Sequence, residues 1–194
     1  MLHTPGRPPE HALALTHGAG SDMEAPLMRN VARAFCDAGV LVLRYDLPFR
    51  VDRPTGPPNP AMAAADRAGI ARAIAALRRR VPGRVFAGGH SYGGRQTAML
   101  AAEQKRLADG LLLLSYPLHP PRKRSELRTA FFPHWRTPAL FVHGSRDPFG
   151  SLEEMRAALV EIPAPVDLLP VEGAGHDLGG AASVAGVLPA RMLF

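Results

Sequence analysis

One cysteine, Cys36, and two lysines, Lys105 and Lys123, are all that the 194 residues hold of either type. A lone thiol excludes an internal disulfide and any multi-cysteine zinc site, and it fits a cytoplasmic setting. No apolar run is long enough to span a bilayer. The opening Met1-Leu2-His3-Thr4-Pro5-Gly6 has neither the apolar stretch nor the cleavage site of a secretory leader. The expectation is a chain that neither crosses nor enters a membrane. Aromatic residues are scarce, at 6%, and none interleave with the two basic clusters, Arg78-Arg79-Arg80 and Arg122-Lys123-Arg124. A net charge of +6 and a sequence pI near 10.4 therefore come without the stacking platform of a nucleic-acid binder. The first cluster closes a predicted helix, where cations complement the helix dipole.

What is present is enough for a core. At 46% apolar and 21% charged, the composition is that of one globular domain, residues 1–194. Short apolar runs alternate with helical periodicity. Strands are expected at His11–Thr16, Val40–Tyr45, Arg84–Ala87, Leu111–Ser115, Ala139–His143 and Val166–Leu169. Helices are expected at about Ala25–Ala38, Ala61–Val81, Gly94–Arg106 and Leu152–Ile162, with a shorter one near Glu126–Phe131. Asp46–Pro60 holds five prolines and reads as a loop. Strand-helix alternation of this kind predicts an α/β domain with a mainly parallel six-stranded sheet flanked by helices.

The chemistry gathers where strands end. Gly89-His90-Ser91-Tyr92-Gly93 fits the G-x-S-x-G nucleophile elbow, between a strand and a helix. A serine on that turn sits in a strained conformation, and side chains two residues away on either side would collide, so Gly89 and Gly93 are needed. The plainer readings are a glycine turn that packs helix on strand, or a phosphate loop; the latter lacks the Gly-Lys-Ser/Thr ending.

A serine hydroxyl needs a base, and the base an orienting acid. Asp147, in Gly144-Ser145-Arg146-Asp147, and His176, in Gly173-Ala174-Gly175-His176, each follow a later strand, 56 and then 29 residues on. Asp109 precedes its strand, Asp167 lies inside one, and Asp177 adjoins His176 too closely to fold back onto its ring. His17 and His143 end strands and could line the site, and His90 reads as support for the elbow. His3, His11, His119 and His134 read as structural. Donors for an oxyanion are expected from the Tyr92 N–H, at a helix N-terminus, and from the loop His17-Gly18-Ala19-Gly20, with Ala19 first and Gly20 as alternate.

The set HGAG, GGHSYGG, HGSRDPFG and GAGHD resembles the α/β-hydrolases over nearly the whole chain. More narrowly, THGAGSDM, LLLLSYPLHPP and FVHGSRDPFG resemble a small group related to dienelactone hydrolases, which includes testis-expressed protein thirty and an NSL-complex subunit. The resemblance implies a compact α/β-hydrolase fold with the six strands ordered 2-1-3-4-5-6, lacking the usual N-terminal antiparallel hairpin and a cap domain. It implies a serine hydrolase acting on small esters, thioesters or lactones, with no metal or organic cofactor. Dienelactone hydrolases themselves carry cysteine where this chain has Ser91. Some relatives have non-enzymatic roles, so a hydrolase-fold binding or scaffold protein is the alternative.

The expected partner is a small-molecule substrate, and a homodimer is compatible with a sequence that offers no seam for one. Leu47-Pro48-Phe49, Tyr92, Tyr116-Pro117-Leu118 and Phe149 are expected to wall the pocket. Arg95 would meet an acidic substrate group or, more plainly, make a structural ion pair. Residues 116–138 are too few for a cap, so the pocket should be shallow and suited to short acyl groups.

Overall fold

Alternation within single strands builds the two faces of the sheet. In the computed structural model, which describes residues 1–120, 122–181 and 184–193, strand β2 (Ala12–Thr16) is buried throughout. Ala12 and Ala14 point into one core and Leu13 and Leu15 into the other, as the two-residue period of a strand requires. The same split recurs in β5 (Gly110–Leu114), where Leu111 and Leu113 face one core and Leu112 and Leu114 the other. Runs apolar on both faces are what a parallel sheet covered by helices demands.

The remaining strands are β1 (Leu2–His3), β3 (Leu41–Tyr45), β4 (Val85–His90), β6 (Ala139–Gly144) and β7 (Val166–Val171). Their order is β1-β3-β2-β4-β5-β6-β7, with every neighbouring pair parallel except β1 with β3. The six expected strands thus take the expected order, but the sheet has seven. The seventh, β1, is a two-residue edge strand in which Leu2 pairs with Leu43 and His3 with Val42. Two residues are too short for any hydrophobic period to register, and β1 is held by backbone pairing of Met1 with Arg44 and by Arg44 Nε donating to His3 Nε2 at 2.8 Å.

Helices α3 (Ala63–Arg78), α4 (Ser91–Glu103) and α5 (Leu152–Leu159) cover one face, with Ile70, Ile74, Leu77 and Met155 among their buried residues. Helix α1 (Pro26–Asp37) covers the other through Leu27, Val31 and Phe35, together with Leu188 of α6 (Leu188–Leu193). The expected loop at Asp46–Pro60 contains helix α2 (Pro48–Asp52): Pro48 opens it and buried Leu47 and Phe49 anchor it. The expected helix near Glu126–Phe131 is absent. Residues 116–138, apart from 121, instead fold as a surface loop with one 3-10 turn, Phe132–His134, nailed down by buried Tyr116, Phe132 and Trp135. No cap domain occurs among the described residues.

Candidate active site

β4 runs straight into α4, with no connecting residue between His90 and Ser91. Ser91 takes φ +48°, a left-handed backbone that a serine adopts only where its surroundings impose it. The flanking glycines have a steric cause. A Cβ at Gly89 would stand 2.5 Å from the Thr16 carbonyl oxygen, and one at Gly93 would run into the His17 carbonyl oxygen and lie 2.7 Å from Thr16 Cγ2. Gly93→Ala should therefore destabilise the fold by about 1–3 kcal/mol, the range of an overpacked core. A urea midpoint unchanged by that substitution would show that the elbow can give way.

Ser91 is met by residues from two distant loops. His176 Nε2 lies 2.8 Å from Ser91 Oγ, and His176 Nδ1 lies 2.8 Å from Asp147 Oδ2. Asp147 Oδ1 accepts from the Phe149 N–H at 2.8 Å, and its side chain is fully buried. Burial alone would raise the Asp147 carboxyl. The hydrogen bond and charge of His176, with the Phe149 N–H, outweigh it and hold the group below its ordinary value. Gly144 lets the two loops pass each other, because a Cβ there would stand 2.5 Å from the Gly175 carbonyl oxygen. The Arg146 N–H then ties the acid loop to the Ala174 carbonyl at 2.9 Å. The three residues singled out from strand ends are thus brought into one hydrogen-bonded line.

A family model for an alpha/beta hydrolase domain matches residues 9–185. The chain belongs to the alpha/beta hydrolase family. Among solved structures, this hydrolase is similar to a dienelactone hydrolase from Anabaena variabilis, with TM-score 0.77, 20% identity, and coverage of 99% of this chain and 89% of that one. An alpha-beta serine hydrolase homologue from Coxiella burnetii aligns at TM-score 0.76 and 18% identity, covering 99% and 90% of the two chains. Est1E from Butyrivibrio proteoclasticus, solved with ferulic acid bound, aligns at TM-score 0.78 and 17% identity, covering 100% and 94%. At these identities the likeness is one of fold.

Ser91 opens onto a cavity of about 530 Å³. Tyr92, Pro117 and Phe149 line it as expected, and Ala19 of the glycine loop joins them, while Leu47, Phe49, Tyr116 and Leu118 are buried and, like Pro48, lie outside its walls. Pro57, Pro58 and Met99, which the sequence did not single out, take their place. Ala19, not the exposed Gly20, faces the cavity. The Tyr92 N–H belongs to the first turn of α4, where backbone donors lack helical partners. The Tyr92 hydroxyl donates to buried Asp66 at 2.7 Å, and the other Asp66 oxygen accepts from the Phe49 N–H at 3.0 Å.

Arg50 had no sequence signal, yet it fixes the glycine loop. Only 7% exposed, it donates to the carbonyls of Ala19 at 2.7 Å and Ser21 at 3.0 Å, and also to those of Arg53 and Gly56. Arg95, for which a structural ion pair was the plainer expectation, forms none among the described residues, and its buried Nε has no hydrogen-bond partner.

Three histidines surround the line without joining it. His17 accepts from the Leu47 N–H at Nε2, so its Nδ1–H donates to the Gly18 carbonyl. His143 donates from Nε2 to the Gly150 carbonyl at 2.8 Å. His90 donates from Nε2 to the His176 carbonyl at 2.8 Å, so it steadies the His176 loop rather than the elbow alone. Burial, and then the facing His176 imidazole, push His90 down to about 4, and burial lowers His17 and His143 as well.

A histidine depressed in the fold gains its proton first in the unfolded chain, so it destabilises the fold as pH falls from its unfolded value near 6.5 toward 4. His90 alone should remove on the order of 3 kcal/mol over that window. Asp147, depressed in the fold, adds a further loss only below the ordinary carboxylate range. Urea unfolding at pH 7, 5.5 and 4.5 should show the decline. Constant stability from pH 7 to 4.5 would contradict neutral, buried histidines.

Proposed function

We propose that this hydrolase cleaves small ester, thioester or lactone substrates through an acyl-enzyme on Ser91. The reading is carried by the line from Ser91 Oγ through His176 to Asp147, 2.8 Å at each step, at the mouth of a cavity. His176 Nε2 takes the serine proton as Oγ attacks the carbonyl carbon, and returns it to the leaving alcohol or thiol. Water then repeats the sequence on the acyl-enzyme. Asp147 holds the Nδ1–H tautomer and faces the imidazolium that forms. The Ala19 and Tyr92 N–H groups stabilise the oxyanion, with Arg50 keeping the Ala19 loop in place. This chemistry needs no cofactor. The dienelactone hydrolase and the ferulate-bound Est1E among the structural neighbours support an ester-type substrate. The motifs THGAGSDM and FVHGSRDPFG support the narrower dienelactone-hydrolase-related group, and the single cysteine supports a cytoplasmic location.

A fluorophosphonate probe tests the reading. Labelling of the wild type that Ser91→Ala abolishes is the expected result; a folded, unlabelled wild type would favour a binding or scaffold role. With no cap domain among the described residues, kcat/KM should gain little beyond about four acyl carbons, since each further CH₂ contributes its ~0.8 kcal/mol only where a wall buries it. A steady rise along a series from acetate to decanoate would contradict this.

A further inference from the structure

Two guanidinium groups share the Ser91 cavity without an acid between them. Arg95 and Arg128 both line it, and neither forms an ion pair among the described residues. The third cation there, Arg67, already donates to Gln96 Oε1 at 3.0 Å and lies 3.9 Å from Glu103. The Tyr116 hydroxyl donates to the Arg128 carbonyl at 2.6 Å and so fixes the backbone that carries this guanidinium. Among the described residues the Arg128 guanidinium makes one hydrogen bond, a long one of 3.4 Å to the Pro117 carbonyl. Burial and then the neighbouring Arg95 charge both lower Arg128. Two half-buried like charges that make no ion pair among the described residues are an unfavourable arrangement that an anion between them would relieve, since the acid acting on Arg128, exposed Glu126, is already paired with Lys123.

We infer that Arg95 and Arg128 form a subsite for a carboxylate carried by the substrate, so that the preferred esters are half-esters of short dicarboxylic acids or similarly placed acidic esters. Position gives the reach. Arg95 stands four residues after Ser91 on α4, about one helical turn of 5.4 Å, and helical side chains lean back toward the N-terminus. A carboxylate three or four bonds from the scissile carbonyl would lie between the two groups. Planar guanidinium forks match a carboxylate bidentately. The net charge of +6 would also favour the approach of anions. This inference rests on the serine-hydrolase reading for its reaction, but the binding itself does not.

The test compares 4-nitrophenyl hydrogen glutarate with 4-nitrophenyl pentanoate on the wild type. The acidic ester should be favoured tenfold or more in kcat/KM, with the advantage shrinking as salt is raised. Arg95→Gln and Arg128→Gln, each scored as the ratio of the two esters on the same preparation, should bring that ratio toward one. Because Arg128 sits on a surface loop, its variant tests the subsite even if the α4 substitution impairs folding. A ratio near one in an active wild type, or a ratio that neither variant changes, overturns the subsite and leaves the hydrolase reading standing. If neither ester turns over and the fluorophosphonate does not label, the hydrolase reading fails. Titration calorimetry with glutarate then decides the subsite: binding lost in Arg128→Gln supports it, and no binding to the wild type overturns it.

Discussion

Ser91→Ala is expected to lower kcat on a short-chain ester by up to about 10⁶-fold, and His176→Ala by a similar factor, because nucleophile and base act as a unit. The fold should survive the first substitution. Alanine is smaller than serine, tolerates the same left-handed backbone no worse, and removes a single hydroxyl whose hydrogen bond is to His176 Nε2. Thermal unfolding near the wild-type midpoint would show that a loss of rate is a loss of chemistry. The double variant carries the stronger argument: once either member is gone, removing the other should cost almost nothing more. Residual turnover would then reflect binding and the Ala19 and Tyr92 N–H groups alone. Two losses that multiplied would mean that Ser91 and His176 act in separate steps.

The parts of this site legible in the sequence are those in which backbone geometry dictates residue type. Gly89 and Gly93 are glycines because Thr16 and His17 leave no room for a Cβ, so the elbow announces itself as a pattern. Asp147 and His176 were legible from their places just after strands, where a parallel sheet presents its loops. Illegible were features that depend on distant partners. Arg50 is one arginine in a proline-rich stretch, and only the fold reveals that it collects four carbonyls from the loops around it. The two-residue β1 lies below the length at which periodicity exists. The segment after β5 has helical-looking spacing near Glu126–Phe131, but Tyr116, Phe132 and Trp135 gain more by burial in a tight turn than a short helix would return. Pro57 and Pro58 wall the cavity because the loop between α2 and α3 reaches the same pocket as Ser91, a placement no local pattern encodes.

Asp147→Asn is expected to lower kcat by on the order of 10⁴-fold while leaving the structure in place. The surroundings of Asp147 fix how the amide would sit. Oδ1 accepts from the Phe149 N–H at 2.8 Å, so the amide oxygen must stay there and the NH₂ group must take the Oδ2 position facing His176 Nδ1. A donor at that position turns Nδ1 into an acceptor and moves the ring proton to Nε2. The nitrogen that should receive the Ser91 proton would then carry one already. The substituted chain would also offer no negative charge to the imidazolium that forms as Ser91 attacks. Asp147 is fully buried, so water cannot stand in for that charge. Proton NMR of the imidazole should report Nδ1–H in the wild type and Nε2–H in the variant, alongside the fall in kcat. A variant within tenfold of wild type, with the proton still on Nδ1, would mean that another group sets the tautomer. The next imidazole after His176 is that of His143, 3.8 Å from Asp147 Oδ2, and its Nε2–H is already committed to the Gly150 carbonyl.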